Sequence, residues 1–553
     1  MQSFTHPHRS FLWSPLHAVY AFATGAVFSI LLNAQHLILA LHKQLTVMHL
    51  LNLGTDEAYY ISVIRGLARG ASIYQAATQA PLPQVWLLKM GFSLQGVLFA
   101  GDVIYPLLTT TFLFLAALAL LRSSKLAAAT ALIAAMSLGN YWLRSSNPQV
   151  PYLILAAYAA VFCSSDDHHP WSFITRGVLI GLLCYVQLLF ASLLLLVEGV
   201  DLIRRIFISR LLPAMLWRSI LSFVCVFLIL FLPLLLGLIT GSDTVSADVH
   251  RRLGVIPSHY PAAPLFQVQL IIIGLIFVAA RMRPYTEKKT IDIFLTFIVA
   301  SLIGFNQAVI HGIDATFSSY YVNVLLLLQW GALPVLLIAF FGRTKLTSAI
   351  LIVALLCSFW SFHGVLKTEE AEDFTRVIQY QMSDEGLMID RLLRDAKHET
   401  IAAPLALANL IPVMTDNDVL FSTYAYNWHV SDQELAERYQ LQRALFPSAD
   451  DAVQKEQGYP SVFGGYAGML AARERTACRM WSRLLGPDSC AIDARSLVYH
   501  EDLRTMLDGG RVDVDSLMRK FKVSEVISDD ALPSGVHCSR VMKIGKYVQY
   551  ACT

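Results

Sequence analysis

The sequence predicts a polytopic α-helical membrane protein with about eleven transmembrane helices and a C-terminal extracytoplasmic domain of mixed α/β structure. Three observations predict this fold class. Hydrophobic residues fill 56% of the 553 positions and charged residues only 15%, against about 25% in soluble domains. Apolar runs long enough to cross a bilayer recur over the first two thirds of the chain. Basic residues are concentrated in a few short loops between those runs.

Nine apolar runs are clear candidates for membrane-spanning helices. The first is too long for the core of a signal peptide, which is about 7–15 residues, so we expect it to be an uncleaved first helix. The runs are Leu16–Leu41, Asp102–Leu121, Leu126–Leu143, Val150–Cys163, Trp217–Thr240, Phe266–Ala280, Thr290–Ile310, Tyr321–Phe341 and Leu346–Leu366.

A tenth stretch, Ser172–Ile203, is too long for one upright helix, and the distribution of positive charge indicates how it divides. Lysine and arginine in short loops favour the cytoplasmic side. If this stretch forms two short helices that turn near Gln187, all the basic loops lie on that one side. The count is then eleven spans, with a cytoplasmic N-terminus and an extracytoplasmic C-terminus. The loops carry Arg122 and Lys125; Arg204, Arg205, Arg210 and Arg218; Arg281, Arg283, Lys288 and Lys289; and Arg343 and Lys345.

Two domains follow from this layout. Residues 1–366 form the membrane domain, which includes a long first extracytoplasmic loop at 42–100. Residues 367–553 are long enough for one outer domain. Its pattern predicts the helices Arg376–Ala396, Asp432–Leu445 and Val514–Lys520, and the strands Thr400–Ala403, Asp418–Ser422, Val523–Ile527 and Tyr547–Cys552.

The eight cysteines fall into two groups. Cys163, Cys184, Cys225 and Cys357 lie within apolar runs, where cysteine usually acts as a small buried residue. The other four lie in the outer domain, where we expect the sequence-local disulfides Cys478–Cys490 and Cys538–Cys552 in an oxidising compartment. The alternative is four free thiols in a cytosolic tail.

The first outer loop contains an acidic pair at its membrane end, in the segment "LNLGTDEAYYISVIRGLARG" from Leu51 to Gly70. Asp56–Arg69 is predicted to form an amphipathic helix because its apolar residues recur at helical spacing. Arg65 and Arg69 lie four positions apart on another face. A second apolar segment, Ile73–Gly96, contains "APLPQVWLL" and is too short to span comfortably, so we expect it to lie along the membrane surface or to form an extension below the next span.

The uncleaved first helix, the D-E-x-Y-Y box after it and the "Y…APLPQVWLL" segment resemble the GT-C superfamily of polyprenol-phosphate-dependent glycosyltransferases. Protein O-mannosyltransferases and lipid A aminoarabinose transferases show a similar acidic pair and proline-rich stretch. The resemblance extends to "LRSSNPQVPYLIL" (Leu143–Leu155), to the hairpin at Gln187 and to "HGIDATFSSYYVNVLLLL" (His311–Leu328). Two positions depart from the pattern: Asn147 stands where many relatives have an acid, and Ala80 replaces the first proline or histidine of H-P-P.

The resemblance implies an inverting transfer of a sugar from a polyprenyl-phosphate donor to a hydroxyl of a glycan, lipid or protein on the extracytoplasmic face of the cell (inner) membrane. Asp56 would be the general base and Glu57 its support. The leaving phosphate needs cations or strong donors, which Mg²⁺ or Mn²⁺ could also supply; no residue is assigned as a metal ligand. The candidate donor contacts are Arg65, Arg69, Arg144, Arg251, Arg252, His259, His311, Tyr320 and Tyr321. Tyr59, Tyr60 and Trp428 are candidates for the acceptor.

Structural alternatives accompany each candidate. Asp56 could cap a helix, and Arg251 and Arg252 could be solvated. The tyrosine pair at 320 and 321 could belong to an interfacial aromatic belt, and Trp428 could belong to a packed contact between the outer domain and the membrane. The loop Ser246–Pro264 could close over the donor as a mobile lid. The net charge of +2 excludes a strongly basic nucleic-acid binder. The competing functions are a flippase for a lipid-linked saccharide and a non-catalytic membrane scaffold.

Overall fold

A computed structural model of the chain shows a mostly helical protein with a small C-terminal sheet. It describes residues 14–50, 57–70, 82–138, 149–164, 170–209, 214–240, 248–249, 252, 255–257, 264–283, 288–307, 313–315, 321–394, 398–447, 505–507, 512–529, 531–533 and 536–552. Cys478 and Cys490, whose disulfide is predicted above, lie outside these residues.

Fourteen helices of the described chain lead from the N-terminus to the start of the outer domain. They are α1 (Pro15–Leu32), α2 (Ala34–Leu41), α3 (Glu57–Arg69), α4 (Leu82–Lys89), α5 (Leu94–Leu121), α6 (Ser124–Ser137), α7 (Gln149–Ser164), α8 (Pro170–Val186), α9 (Leu188–Ser209), α10 (Ala214–Thr240), α11 (Pro264–Arg281), α12 (Lys288–Phe305), α13 (Tyr321–Phe341) and α14 (Lys345–Gln381). Two short strands, β1 (Val255–Pro257) and β2 (Ile313–Ala315), form an antiparallel pair between these helices.

Within the described residues, three helical segments are both long and apolar enough to cross a membrane: Pro15–Leu32, Leu94–Leu121 and Lys345–Lys367. Shorter apolar helices accompany them, among them Ser124–Ser137, Gln149–Ser164, Trp171–Val186 and Phe266–Arg281. α14 has 37 residues and is therefore about 55 Å long, well beyond the hydrocarbon thickness of a bilayer. The predicted domain boundary at 366/367 lies inside this one helix.

The chain turns back at Gln187, as the sequence predicts. α8 ends at Val186 and α9 begins at Leu188. The Arg176 Nη1 atom lies 2.9 Å from Glu198 Oε1, although these residues stand eleven positions on either side of Gln187. In one straight helix they would be about 33 Å apart. α8 and α9 therefore form an antiparallel helical hairpin.

Basic residues from different loops meet at one end of the helical bundle. Arg204, near the end of α9, donates to Asp292 in the first turns of α12, and Arg281 at the end of α11 donates to the same carboxylate. Arg343, between α13 and α14, donates through Nη2 to the carbonyl oxygen of Leu121 at the end of α5, 2.6 Å away. This arrangement agrees with the prediction that the basic loops share one side.

The outer domain is a five-stranded sheet covered by helices. Its strands are β3 (Thr400–Ala402), β4 (Asp418–Val419), β5 (Val523–Ser528), β6 (Cys538–Ile544) and β7 (Tyr547–Cys552), in the order β4-β3-β5-β7-β6. The β3–β4 and β3–β5 pairs are parallel, and β5–β7 and β6–β7 are antiparallel. The helices are α15 (Asp384–Arg394), α16 (Leu405–Ala408), α17 (Ile411–Met414), α18 (Asp432–Leu445) and α19 (Val514–Lys520).

The structure confirms most predictions for this domain, but the predicted strand Asp418–Ser422 already ends at Val419, and one predicted helix is wrong. The helices Asp432–Leu445 and Val514–Lys520 have the predicted bounds, and the Cys538–Cys552 disulfide is formed across the β6–β7 hairpin. The predicted helix Arg376–Ala396 is wrong, because α14 ends at Gln381 and α15 begins at Asp384. Ser383 separates the two helices, and its hydroxyl accepts the backbone N–H of Gly386, which starts a new helix.

Buried apolar side chains form three clusters. The largest joins the helices of the membrane domain, and a second fills the outer domain. The third lies between them and is here called the junction cluster; its buried members are Leu45, Met48, Leu50, Ile61, Leu98 and Val413. Ile61 comes from α3, whereas Val413 comes from α17, so α3 is packed where the two domains meet.

Candidate functional site

α3, the helix that follows Asp56 of the predicted acidic box, lies at the domain junction. It begins at Glu57, the residue after Asp56, so the predicted helix is confirmed almost to the residue. Asp56 lies outside the described residues, as do the side chains of Glu57 and Tyr59. Ile61 packs in the junction cluster, whereas Tyr60 and Val63 pack in the core of the outer domain. Both domains therefore fix the helix that follows Asp56.

Tyr60 and Trp428 pack in the protein core. Tyr60 is 6% exposed and Trp428 is 1% exposed. The Trp428 ring meets the Phe421 ring edge-on, and the Arg438 guanidinium lies 5.8 Å from its centroid. These contacts match the packed alternative for Trp428, and Tyr60 is likewise buried.

Arg65 and Arg69 contact acids of the outer domain. Arg65 donates through Nη2 to Asp416 Oδ1 at 2.6 Å and through Nη1 to the Val413 carbonyl oxygen at 3.1 Å. Arg69 donates through Nη2 to Asp418 Oδ1 at 2.9 Å. Residues four apart on a helix share a face, as do residues two apart on extended chain, so the two pairs match in register.

These ion pairs give the two arginines a structural role. Burial raises the pKa of Asp416, but the hydrogen bond from Arg65 and the charges of Arg65 and Arg69 outweigh burial, and the net shift is downward. Both guanidinium groups are about 15% exposed. They therefore hold α3 against the outer domain, which differs from the predicted contact with a donor phosphate.

Arg252 also has a structural role, and the alternative of a solvated side chain is wrong for this residue. Its side chain is fully buried. The guanidinium donates to Asp432 Oδ1 at 2.5 Å and to the carbonyl oxygens of Tyr426, Trp428 and Val430 at 2.8–3.1 Å. A guanidinium with four such partners has little capacity left for a lipid-linked phosphate.

Asp248 adds a second contact to the same part of the outer domain. Arg252 and Asp248 therefore anchor the loop Ser246–Pro264, which was predicted to be a mobile lid. Asp248 Oδ2 accepts the backbone N–H of Asp432 at 2.9 Å. The described part of the segment from 246 to 264 is thus tied to the start of α18. Farther along, β1 pairs with β2, which joins this segment to the one that carries His311. The middle of the predicted lid is therefore anchored on two sides.

The remaining donor candidates lie outside the part of the chain that the structure describes. This holds for Arg144, Arg251, His259, His311 and Tyr320. Tyr321 is the first residue of α13, but its side chain is not described. Pro257 and Ile313 are paired across β1 and β2. In the sequence, His259 comes two residues after Pro257, and His311 comes two residues before Ile313.

Two polar features of the membrane domain were not predicted from the sequence. Asn33 donates through Nδ2 to the Asp102 carbonyl oxygen at 2.7 Å, and His36 Nδ1 lies 3.9 Å from Asp102 Oδ2. These contacts join α2 and the end of α1 to α5. In α4, the Gln84 side chain is 1% exposed, and neither of its amide atoms has a hydrogen-bond partner in the described part of the chain. α4 packs against α3, the helix that follows Asp56.

A buried amide without partners is costly, about 1–3 kcal/mol, and is rare enough to require an explanation. Gln84 is therefore the described polar side chain near α3 with the strongest claim to a ligand contact. The sequence feature that could have indicated this residue is a single polar glutamine within the apolar segment "PLPQVWLL". Among the described residues, no group of three or more His, Cys, Asp or Glu side chains is placed to hold a metal ion.

No protein-family model matches this chain, and no curated protein matches it in sequence.

Proposed function

We propose that this protein is a membrane glycosyltransferase that moves a sugar from a polyprenyl-phosphate donor to an acceptor hydroxyl, with Asp56 as the general base. The observation that carries the proposal is the placement of α3. This helix begins immediately after Asp56 and is packed against both the membrane domain and the outer domain. A lipid-linked donor has its reacting group at the membrane surface, so a catalytic residue for it belongs at such a junction.

The layout behind the proposal has eleven spans in the cell (inner) membrane, a cytoplasmic N-terminus and an extracytoplasmic C-terminal domain. Three observations support this layout: the hairpin at Gln187, the clustering of basic residues at one end of the bundle, and the Cys538–Cys552 disulfide. Disulfides persist in oxidising compartments, which favours a position outside the cytoplasm for the outer domain.

Each residue has one role in the proposed reaction. Asp56 accepts the proton of the acceptor hydroxyl while the sugar carbon passes from the phosphate oxygen to the acceptor oxygen. Gln84 supplies a hydrogen bond to a hydroxyl of the sugar or to the phosphate. The cation for the leaving phosphate comes from Arg144, Arg251, His259 or His311, because Arg65, Arg69 and Arg252 already have protein partners.

The test incubates the purified full-length protein with a panel of polyprenyl-phosphate sugars and follows release of polyprenyl phosphate together with the fate of the sugar. Release with transfer to an acceptor supports the proposal. A parallel assay in proteoliposomes measures translocation of the same lipids. Translocation without release would identify a flippase, and absence of both release and binding would favour a non-catalytic scaffold.

A further inference from the structure

Arginines of the membrane domain bind aspartates of the outer domain at two places. Two of these arginines hold α3, and the third lies in the chain between α10 and α11. The third pair joins residues 180 positions apart in the sequence. The outer domain therefore holds both the helix that follows Asp56 and a second segment of the membrane domain. The pairs are Arg65–Asp416, Arg69–Asp418 and Arg252–Asp432.

The contact at Asp432 is closed from two directions. Its carboxylate accepts a hydrogen bond from Arg252, and its backbone N–H donates to the carboxylate of Asp248. Asp248, Arg252 and Asp432, here called the Asp432 clamp, are all at most 8% exposed. Charge-assisted hydrogen bonds of this kind are short and have a defined geometry. The clamp therefore fixes both Asp248 and Arg252 on the outer domain.

The short β1–β2 sheet extends the effect of the clamp to a second loop. β1 begins three residues after Arg252 and pairs with β2, which lies between α12 and α13. At the base of the two loops, Gln267 of α11 and Asn306 exchange two side-chain hydrogen bonds, at 2.9 and 3.3 Å. The two loops therefore start from neighbouring helix ends. One clamp on the outer domain holds both of them.

Three of the four cations proposed for the leaving phosphate are close in sequence to the clamp or to the β1–β2 sheet. Two residues of chain reach at most about 7 Å. The clamp and the sheet therefore restrict the positions that these three cations can occupy. They are Arg251, adjacent to Arg252, and His259 and His311, each two residues from the Pro257–Ile313 pair.

We propose that the outer domain positions the donor-binding loops of the transferase through the Asp432 clamp, in which Arg252 is the positioning residue. This role rests on the proposed glycosyl transfer and gives the outer domain its part in that reaction. Arg252 does not touch the donor, because its guanidinium is buried on four acceptors of the protein. It acts through the loop that it holds.

Loss of the clamp has a kinetic signature that differs from loss of stability. The donor phosphate is charged before the reaction, so a displaced loop weakens binding of the donor and raises its KM. Partial unfolding instead lowers kcat and leaves KM unchanged, because fewer molecules are active. Variants of Arg65 differ again, since they misplace Asp56 and should lower kcat more than they change KM.

The experiment uses the full-length protein in lipid vesicles and compares two clamp variants with two controls. Asp248→Ala removes the carboxylate that accepts the Asp432 N–H, whereas the control Asp248→Asn keeps an acceptor there. Arg252→Lys keeps one charge for Asp432 but cannot reach all four acceptors. The control Arg540→Gln removes an exposed arginine elsewhere in the outer domain. Release of polyprenyl phosphate gives kcat and the KM for the donor, hydrogen exchange of the β1 amides reports on the loop, and melting temperatures establish that each variant is folded.

Asp248→Ala and Arg252→Lys should each raise the KM for the donor at least about fivefold, because the loop is no longer held in the binding geometry. Both should speed exchange of the β1 amides, while the amides of β5 exchange as in the wild type. Asp248→Asn and Arg540→Gln should keep the wild-type KM. If Arg252→Lys does not fold, Asp248→Ala decides.

A wild-type KM in either folded clamp variant, or a lower kcat at an unchanged KM, would overturn the positioning role. Unchanged exchange of the β1 amides would overturn it as well. A wild type that releases no polyprenyl phosphate would refute the glycosyl transfer, and the role of the clamp in donor binding would fall with it. Faster exchange in the variants would then still show that the clamp holds β1.

Discussion

At the residue scale, the unsatisfied buried amide of Gln84 destabilises the fold, and we propose that it is kept because it binds the substrate. Its buried amide has no hydrogen-bond partner among the described residues, so replacing it with leucine removes an unsatisfied group of similar volume. Such changes are often neutral or stabilising. We therefore expect Gln84→Leu to keep or raise the melting temperature while it lowers the rate of polyprenyl-phosphate release about tenfold or more.

The control is Trp86→Leu, at a 61% exposed position of the same helix α4. It should leave the rate of release nearly unchanged. If Gln84→Leu is as active as the wild type, Gln84 does not contact the substrate. If it is inactive because it fails to fold, Gln84 has a structural partner.

Glu385 in the outer domain predicts a pH dependence of stability. Burial raises its pKa, but hydrogen bonds from Lys546 and Tyr547 prevail and lower the pKa to about 2. A carboxyl whose folded pKa lies below its unfolded value of about 4.3 stabilises the protein above that value, and the stabilisation is lost as the pH falls toward 2. Because Lys546 is half exposed, solvent screening limits the contribution to about 1 kcal/mol.

Glu385→Gln should therefore lower the free energy of unfolding of the outer domain by about 1 kcal/mol at neutral pH and by less near pH 2.5. Thermal unfolding of both proteins at the two pH values measures this. An equal difference between wild type and variant at both pH values would contradict the assigned cause.

Arg252 shows why some residue roles could not be predicted from the sequence. A basic pair in a polar loop is typical of a solvated or phosphate-binding segment, and the partners that bury Arg252 stand more than 170 positions along the chain. Nothing local distinguishes a buried arginine from an exposed one. The same holds for Arg65 and Arg69, whose acids are about 350 residues away.

At the scale of elements, ion pairs hold α3, the helix that follows Asp56, against the outer domain. Arg65 is 16% exposed and pairs with Asp416, which is 49% exposed. A double-mutant cycle with Arg65→Gln and Asp416→Asn should give a coupling free energy of about 1 kcal/mol. Each single variant should also lower kcat more than it changes KM, because a loosened helix misplaces Asp56 without removing a contact to substrate.

Arg540→Gln is a suitable control, since Arg540 is exposed on β6, away from α3. It should change neither stability nor kcat. Zero coupling between positions 65 and 416, with normal kcat in both single variants, would show that this ion pair does not position α3.

Helices and strands that are determined by their own residues could be predicted from local sequence patterns. α18 is capped by Ser431, whose hydroxyl accepts the N–H of Glu434, so the cap is visible in the sequence. β6 was not predicted, because it is an edge strand with mostly exposed side chains and lacks a regular apolar alternation. The partner strand β7, which lies inside the sheet, was predicted with its bounds.

At the scale of the whole molecule, the arrangement of the domains predicts a topology. A disulfide that closes a loop of 14 residues stabilises a domain by about 3 kcal/mol in an entropic account, and it must form in an oxidising compartment. In intact cells, a cysteine introduced at Arg540 should react with a membrane-impermeant thiol reagent, whereas one introduced at Arg122 should react only after permeabilisation. The reverse pattern would place the outer domain in the cytoplasm.

The catalytic role of Asp56 is tested most directly by the rate of polyprenyl-phosphate release by Asp56→Asn and Glu57→Gln in the same lipid vesicles as the wild type. General-base catalysis contributes about 10²- to 10⁴-fold, so Asp56→Asn should lose at least about 10²-fold in rate while it keeps its melting temperature and donor binding. Glu57→Gln should lose much less. An Asp56→Asn protein that releases polyprenyl phosphate at the wild-type rate would contradict the proposed function.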